Sequence, residues 1–97
     1  MDDGPIRTLA RVDMLDRVEF TVDGETITGW SDDVTVDDAS IRVMIHEQYG
    51  DRTFQVVTEW ANGWLEPLVD VLDPRSRTFR PFGTLDGIQG RGYPLDR

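Results

Sequence analysis

Dipeptides that favour tight β-turns divide this chain into short segments whose apolar residues fall at every second position. Asp23-Gly24 and Asn62-Gly63 are two such dipeptides, and each stands between segments rich in β-branched and aromatic residues. A type I′ turn requires positive φ at both central residues, which Asn, Asp and Gly tolerate best. Alternation with a period of two gives a strand one apolar face. The two features together predict an antiparallel all-β chain.

The first hairpin is predicted in detail by the turn at Asp23-Gly24. Counting outward from a two-residue loop places Val22 opposite Glu25 and Phe20 opposite Ile27. This register puts the large apolar side chains of both strands on one face.

Two other segments are interpreted from the same alternation. The even positions from Ile6 to Met14 are mostly apolar, which predicts a strand. Residues 31–40 carry four aspartates around Val34-Thr35-Val36, which favours a linker with at most a short strand. Because the aspartates lack the Asp-x-Asp-x-Asp-Gly spacing of a calcium loop, we expect a solvated acidic segment and no metal site.

The centre of the chain predicts two strands joined by a two-residue loop at Gly50-Asp51. Counting outward from this loop places Ile45 opposite Val56 and Glu47 opposite Phe54. The alternating apolar side chains of both strands then point to the same side of the sheet.

The register continues through two more turns. The Asn-Gly dipeptide places Val56 opposite Val69, and a turn at residues 73–77 places Val71 opposite Phe79. Agreement between successive turns predicts a small antiparallel meander of six to seven strands. We expect this meander to form either a closed barrel or a two-layer sandwich.

The whole chain is expected to form one domain over residues 1–97. Glycines are frequent in segment 83–97, which predicts irregular structure, either an ordered wrap or a loose tail. The lack of cysteine excludes disulfides and cysteine-based zinc sites. No apolar run is typical of a signal peptide or a membrane span, so we expect a cytoplasmic protein without membrane contact.

The charged residues of the chain are unusual in kind. All ten basic residues are arginine, fourteen of the nineteen acidic residues are aspartate, and the net charge is −9. This composition resembles that of cytoplasmic proteins from halophiles that accumulate salt. At molar salt the screening length falls to about 3 Å, so charge self-repulsion largely vanishes. The acidity also disfavours nucleic-acid binding, which relies on basic side chains.

A second apolar face is predicted on the outside of the meander. In the register above, four apolar residues form a row across the outer face: Met44, Val57, Leu68 and Phe82. Either the N-terminal strands cover this row, or it is an interface with a second copy or a protein partner. Trp30 and Trp64 fall on outer faces and extend the candidate interface, whereas Trp60 is assigned to the core.

A candidate pocket is predicted near the turn that joins the two central strands. Its residues are His46, Glu47, Tyr49 and Phe54. His46 is predicted to lie opposite Gln55, with no acid–base partner in reach and no second His or Cys to complete a metal site.

These features favour a non-enzymatic interaction module of a halophilic cytoplasm, without cofactor or metal. The second apolar face is expected to mediate homo-oligomer formation or binding of a protein partner. The alternative is a small-molecule-binding β-barrel, with or without enzymatic activity, whose pocket lies at Glu47, Tyr49 and Phe54.

Overall fold

The computed structural model of the 97-residue chain describes Leu9, Val12, Asp13 and residues 16–90. In this part of the chain, six strands form a closed antiparallel barrel in which β6 returns to pair with β1. The strands are β1 Arg17–Val22, β2 Glu25–Val36, β3 Ser40–Glu47, β4 Thr53–Glu59, β5 Leu68–Asp73 and β6 Thr78–Gly90. The predicted all-β meander is confirmed, and it takes the form of a closed barrel.

The first hairpin has the register that the turn dipeptide predicts. Phe20 lies opposite Ile27, and Val22 lies opposite Glu25. The backbone has φ of 50° at Asp23 and 86° at Gly24, the positive values that a type I′ turn requires.

The predicted register between β3 and β4 is wrong by two residues. Ile45 lies opposite Phe54 and not opposite Val56, because the connection is longer than a two-residue loop. The backbone N–H of Glu47 donates to the carbonyl of Arg52 at 3.0 Å and closes this wider turn. A shift of two residues preserves the faces of a strand, so the predicted inward side chains still point into the barrel.

The register between β5 and β6 departs from the prediction by one residue over Asp70–Asp73, and by two at Val69, which lies opposite Gly83 and not opposite Pro81. Val56 lies opposite Val69 as predicted, but Val71 lies opposite Arg80 and not opposite Phe79. The pairing shifts immediately after Val69. Because successive side chains point to opposite faces, a shift of one residue moves β6 side chains from one face to the other.

Two strands extend through segments that were predicted to be irregular. β2 continues to Val36, so most of segment 31–40 is strand and not linker. β6 continues to Gly90, so residues 83–90 are strand and not a tail. Both extensions are stabilised by cross-strand pairing, with β3 and with β1 respectively. The rest of segment 83–97 lies outside the described residues.

The strand predicted from Ile6 to Met14 is wrong where the structure describes it. Leu9 is helical, and Val12 and Asp13 belong to no strand. The remaining residues of this prediction lie outside the described part of the chain. Leu9 and Val12 are buried in the barrel core, so their apolar character serves packing and not strand pairing.

Ser31 of β2 anchors the segment that precedes β1. Its hydroxyl donates to the carbonyl of Asp13 and accepts the backbone N–H of Asp16 at 3.1 Å. The backbone N–H of Ser31 donates to the carbonyl of Asp16 at 2.9 Å. These bonds satisfy a fully buried polar side chain, which would otherwise destabilise the core.

The barrel interior is filled by apolar side chains from all six strands. The buried strand residues are Val18, Phe20, Val22, Ile27, Ile41, Val43, Ile45, Phe54, Val56, Val69, Leu85 and Ile88. The rings of Phe20 and Phe54 meet edge to face at a centroid distance of 5.4 Å, and those of Phe54 and Phe82 at 5.1 Å.

Candidate binding groove

A groove opens on the barrel surface where β4 and β5 separate. The two strands pair only between Phe54–Val57 and Leu68–Val71. Beyond Val57 the chain leaves the sheet through residues 60–67, and Pro67 before β5 has no N–H with which to continue the ladder. The resulting β4–β5 groove has a volume of about 320 Å³. Its lining includes Val57, Glu59, Leu65, Glu66, Leu68 and Asp70.

Large apolar side chains are exposed in and beside the groove. Leu65 is 49% exposed and Leu68 is 55% exposed. Val57 lies directly opposite Leu68 and is half-buried. Trp60, which immediately follows β4, is 53% exposed and packs edge to face on Trp64 at 5.5 Å. The apolar part of the lining, here called the floor, consists of Val57, Leu65 and Leu68 and is open to solvent.

Backbone and hydroxyl hydrogen bonds hold the groove open. The hydroxyl of Thr58 donates to the carbonyl of Leu65, and the backbone N–H of Leu65 donates to the carbonyl of Glu59 at 2.8 Å. The N–H of Trp60 donates to the carbonyl of Ala39 in the β2–β3 turn at 2.9 Å. The returning segment is thus fixed against β4.

The rest of the lining includes three carboxylates, here called the rim. Glu59 lies at the end of β4, Glu66 lies in the returning segment, and Asp70 lies on β5. None of these three carboxylates forms a salt bridge with another residue in the described part of the chain. The groove therefore combines an apolar floor with unneutralised negative charge.

The predicted outer row of four apolar residues is not formed. Val57 and Leu68 lie opposite each other, but Met44 pairs with Gln55, two residues before Val57. Phe82 packs against the core and contacts the ring of Phe54, because it is the unpaired residue of a bulge between Pro81, opposite Asp70, and Gly83, opposite Val69. Only the Val57–Leu68 part of the row therefore contributes to the groove.

The tryptophans are also distributed differently from the prediction. Trp64 is half-buried and packs against the core, whereas Trp60, assigned to the core from the alternation, is largely exposed. Trp30 is 37% exposed as predicted, but it lies on β2 opposite His46, away from the groove. The Asn62-Gly63 signal predicted a hairpin there, and it gave no indication that the strands would part.

The predicted pocket at the β3–β4 turn is occupied by the side chain of Arg52. Its guanidinium lies 5.1 Å from the ring centroid of Phe54 and 5.9 Å from that of Phe82. Glu47 does not face Phe54 across the sheet as predicted; it pairs with Arg52, with Nη2 and Oε2 2.7 Å apart. Tyr49 is 82% exposed on the turn.

Hydrogen bonds that Arg52 donates shift the pKa values of charged groups at this end of the barrel. Arg52 Nε donates to Glu47 Oε1 at 2.8 Å, and Nη2 donates to Glu25 Oε2 at 3.0 Å. These hydrogen bonds, with the charge attraction, hold the pKa of Glu47 below its ordinary value despite its partial burial. The hydrogen bonds that Arg52 donates to Glu47 and Glu25 raise its pKa. The cluster joins the β1–β2 and β3–β4 turns.

His46 has partners that the sequence did not indicate. It lies opposite Thr53 and not opposite Gln55. Its Nε2 is 2.9 Å from Asp32 Oδ2, and its Nδ1 is 3.2 Å from Thr53 Oγ1. Asp32 is the extra residue of a bulge in β2, because the pairing with β3 shifts between residues 31 and 33.

The Asp32–His46–Thr53 chain differs from a hydrolytic triad in the order of its ring nitrogens. In a Ser-His-Asp triad the carboxylate holds Nδ1 and the nucleophilic hydroxyl faces Nε2. Here the carboxylate faces Nε2 and the hydroxyl faces Nδ1. We interpret this cluster as a link between β2, β3 and β4. In the described residues, no group of three or more His, Asp or Glu side chains is placed to hold a metal ion.

Comparisons with known proteins add no family to this description. No protein-family model, no curated protein and no solved structure gives a significant match to the chain. No helix in the described residues is long and apolar enough to cross a membrane. The β4–β5 groove is therefore interpreted from its own geometry and chemistry.

Proposed function

We propose that this protein is a non-enzymatic binding module that contacts another protein chain through the β4–β5 groove. The observation that carries the proposal is the apolar surface around residues 60–68, where Trp60, Leu65 and Leu68 are each about half exposed. Large apolar patches on a monomer are uncommon and are typical of contact surfaces. Burial of these side chains against a partner would remove that area from water.

The rigidity of the groove supports this role. The bonds from Thr58 and Leu65 fix the returning segment before any partner arrives. A preformed site loses less conformational entropy on binding than a site that must first order itself. The barrel thus acts as a scaffold for one concave surface.

The composition of the chain supports operation in the concentrated salt of a halophilic cytoplasm. A net charge of −9 with arginine as the sole basic residue type keeps the surface charged and hydrated. Contacts between apolar surfaces persist when salt screens charges, so an apolar groove floor suits such a solvent.

Selection of peptides from a displayed random library on the immobilised protein tests the proposal. We expect enriched peptides that bind the wild type and lose at least tenfold in affinity for Leu68→Asp, because a charge then lies on the groove floor. Tyr49→Asp is the matched control, since Tyr49 is exposed in the β3–β4 turn, before the start of β4, whereas the groove lies beyond its end. Peptides that bind Leu68→Asp as well as wild type, or no enrichment at all, would contradict the proposal.

A further inference from the structure

We infer that the occupant of the β4–β5 groove is a cationic amphipathic segment of a partner protein. Its apolar side chains would lie on the floor, and its Arg or Lys side chains would meet the rim carboxylates. This inference rests on the proposed function, because it names the chemistry of the partner for the same groove.

The carboxylates of the rim favour a partner segment that carries positive charge. Glu59, Glu66 and Asp70 come from three successive parts of the chain and surround one opening. None of them has a salt-bridge partner in the described residues, so their charges are not neutralised within the barrel. Complementary charges in direct contact across an interface select the partner, because salt screens partly buried pairs much less than exposed ones. Arginine fits best, since its planar guanidinium pairs with carboxylates through two hydrogen bonds.

The apolar residues of the floor favour an amphipathic segment as the ligand over a free cation. Val57, Leu65 and Leu68 face the same opening as the three carboxylates. A volume of about 320 Å³ lies at the lower end of the roughly 300–1,000 Å³ of ligand sites, so a few side chains fill it. A short segment with alternating apolar and basic side chains matches both surfaces.

The same rim disfavours a second copy of this chain as the occupant. A symmetric dimer apposes the same surface patch of both subunits. Such a contact through the groove would bring two sets of Glu59, Glu66 and Asp70 together. Like charges placed across an interface oppose association.

Two synthetic peptides of equal length test the inference by fluorescence anisotropy. One alternates leucine with arginine, and the other carries glutamine in place of every arginine. The titration uses the full chain at the lowest KCl concentration at which circular dichroism shows it folded. We expect the arginine peptide to bind at least tenfold more tightly than the glutamine peptide. Equal affinity for both would overturn the inference.

A pair of triple variants with the same change in net charge separates the groove from the general field of the protein. The rim variant is Glu59→Gln, Glu66→Gln, Asp70→Asn. The control variant is Asp23→Asn, Asp33→Asn, Asp51→Asn. We expect the rim variant to bind the arginine peptide about tenfold more weakly. Each partly exposed ion pair that is lost should weaken binding about two- to threefold, and three such pairs are lost. The control should change it less than twofold, and an equal loss in both variants would overturn the inference.

Leu68→Asp distinguishes failure of this inference from failure of the proposed function. If Leu68→Asp abolishes binding of both peptides while their affinities are equal, the groove is a binding site but not one for cations. If Leu68→Asp leaves peptide binding unchanged, the groove itself is not the site. Light scattering of the same samples completes the test, because a dimer that Leu68→Asp dissociates would identify a second copy as the occupant.

Discussion

Arg52 shows how one side chain can occupy a space that the sequence suggests for a ligand. Its guanidinium lies between Glu47 and Glu25 on one side and the rings of Phe54 and Phe82 on the other. The charge is thus paired while the flat face of the cation contacts aromatic rings. The sequence placed Glu47 near the end of the barrel, close to water or to Arg52, and the structure shows the Arg52 pairing.

The lowered pKa of Glu47 predicts an acid-dependent contribution to stability. Because its folded pKa is depressed, the Glu47–Arg52 pair stabilises the fold above the ordinary carboxyl pKa of 4.5, and this contribution is lost as pH falls through the folded pKa. We expect Glu47→Gln to lower the free energy of unfolding by about 1 kcal/mol at pH 7. The difference from wild type should shrink below pH 4.5 in urea unfolding experiments.

A double-mutant cycle provides the control for this prediction. In an Arg52→Gln background, Glu47 has lost the partner that depresses its pKa. Glu47→Gln in that background should therefore have a smaller effect, with less dependence on pH. The same pH-dependent loss in both backgrounds would show that the pair is not its source.

At the scale of the strands, β2 illustrates why a local pattern can mislead. Its aspartates suggested a linker, yet the strand runs on to Val36 because β3 supplies a pairing partner along its whole second half. The bulge at Asp32 places its carboxylate beside His46, on a neighbouring strand. Tertiary pairing outweighs the weak strand propensity of aspartate.

Gly29 on β2 allows the backbones of β2 and β3 to approach closely. A Cβ at this position would lie 2.2 Å from the carbonyl oxygen of His46 and 2.9 Å from a methyl carbon of Ile45. We expect Gly29→Ala to push the strands apart and to destabilise the protein by about 1–3 kcal/mol, measured by urea unfolding.

Gly87 on β6 is the matched control for this substitution. A Cβ at Gly87 would have no atom within 4 Å. Gly87→Ala should therefore leave stability unchanged or raise it slightly, since alanine restricts the unfolded chain more than glycine does. An equal loss of stability in both variants would contradict the steric explanation.

The β4–β5 groove depends on where two neighbouring strands separate. The Asn62-Gly63 turn was predicted to join β4 and β5, with a bulge or a sheet edge near residues 66–67, and Asn62 does adopt positive φ. The strands nevertheless part beyond Val57, and residues 65–67 run outside the sheet. The absence of an N–H in Pro67 hinted at an interruption, but the open surface depends on where the returning segment packs.

For the whole molecule, barrel closure removes the edge strands of the meander. β1 pairs with β6 from Val18 to Val22, so the first and last strands of the sheet protect each other. Unpaired strand edges are templates for aggregation, and closure abolishes them. The remaining candidate contact surface is thereby concentrated at the β4–β5 groove.

The net charge of −9 predicts salt-dependent stability of the whole barrel. In dilute buffer the carboxylates repel one another, and salt at about 1 M reduces the screening length to about 3 Å. We expect the thermal unfolding midpoint, followed by circular dichroism, to rise by at least 10 °C between 0.1 and 3 M KCl. A midpoint that does not depend on salt would contradict adaptation to a saline cytoplasm.

The variant Asp23→Asn, Asp33→Asn, Asp51→Asn is the control for this measurement. It removes three of the negative charges while leaving the barrel core unchanged. Its midpoint should therefore depend less steeply on KCl than that of the wild type, because less repulsion remains to be screened.

The sequence by itself determined the all-β class, the first hairpin and the inward face of most strands. These features depend on local chemistry: the positive φ of Asp23-Gly24 and the alternation of side chains with a period of two. Tertiary structure alone decided the bulge at Asp32, the shift after Val69 and the parting of β4 from β5. Those depend on how distant strands curve and close into a barrel, and no short segment of sequence contains that constraint.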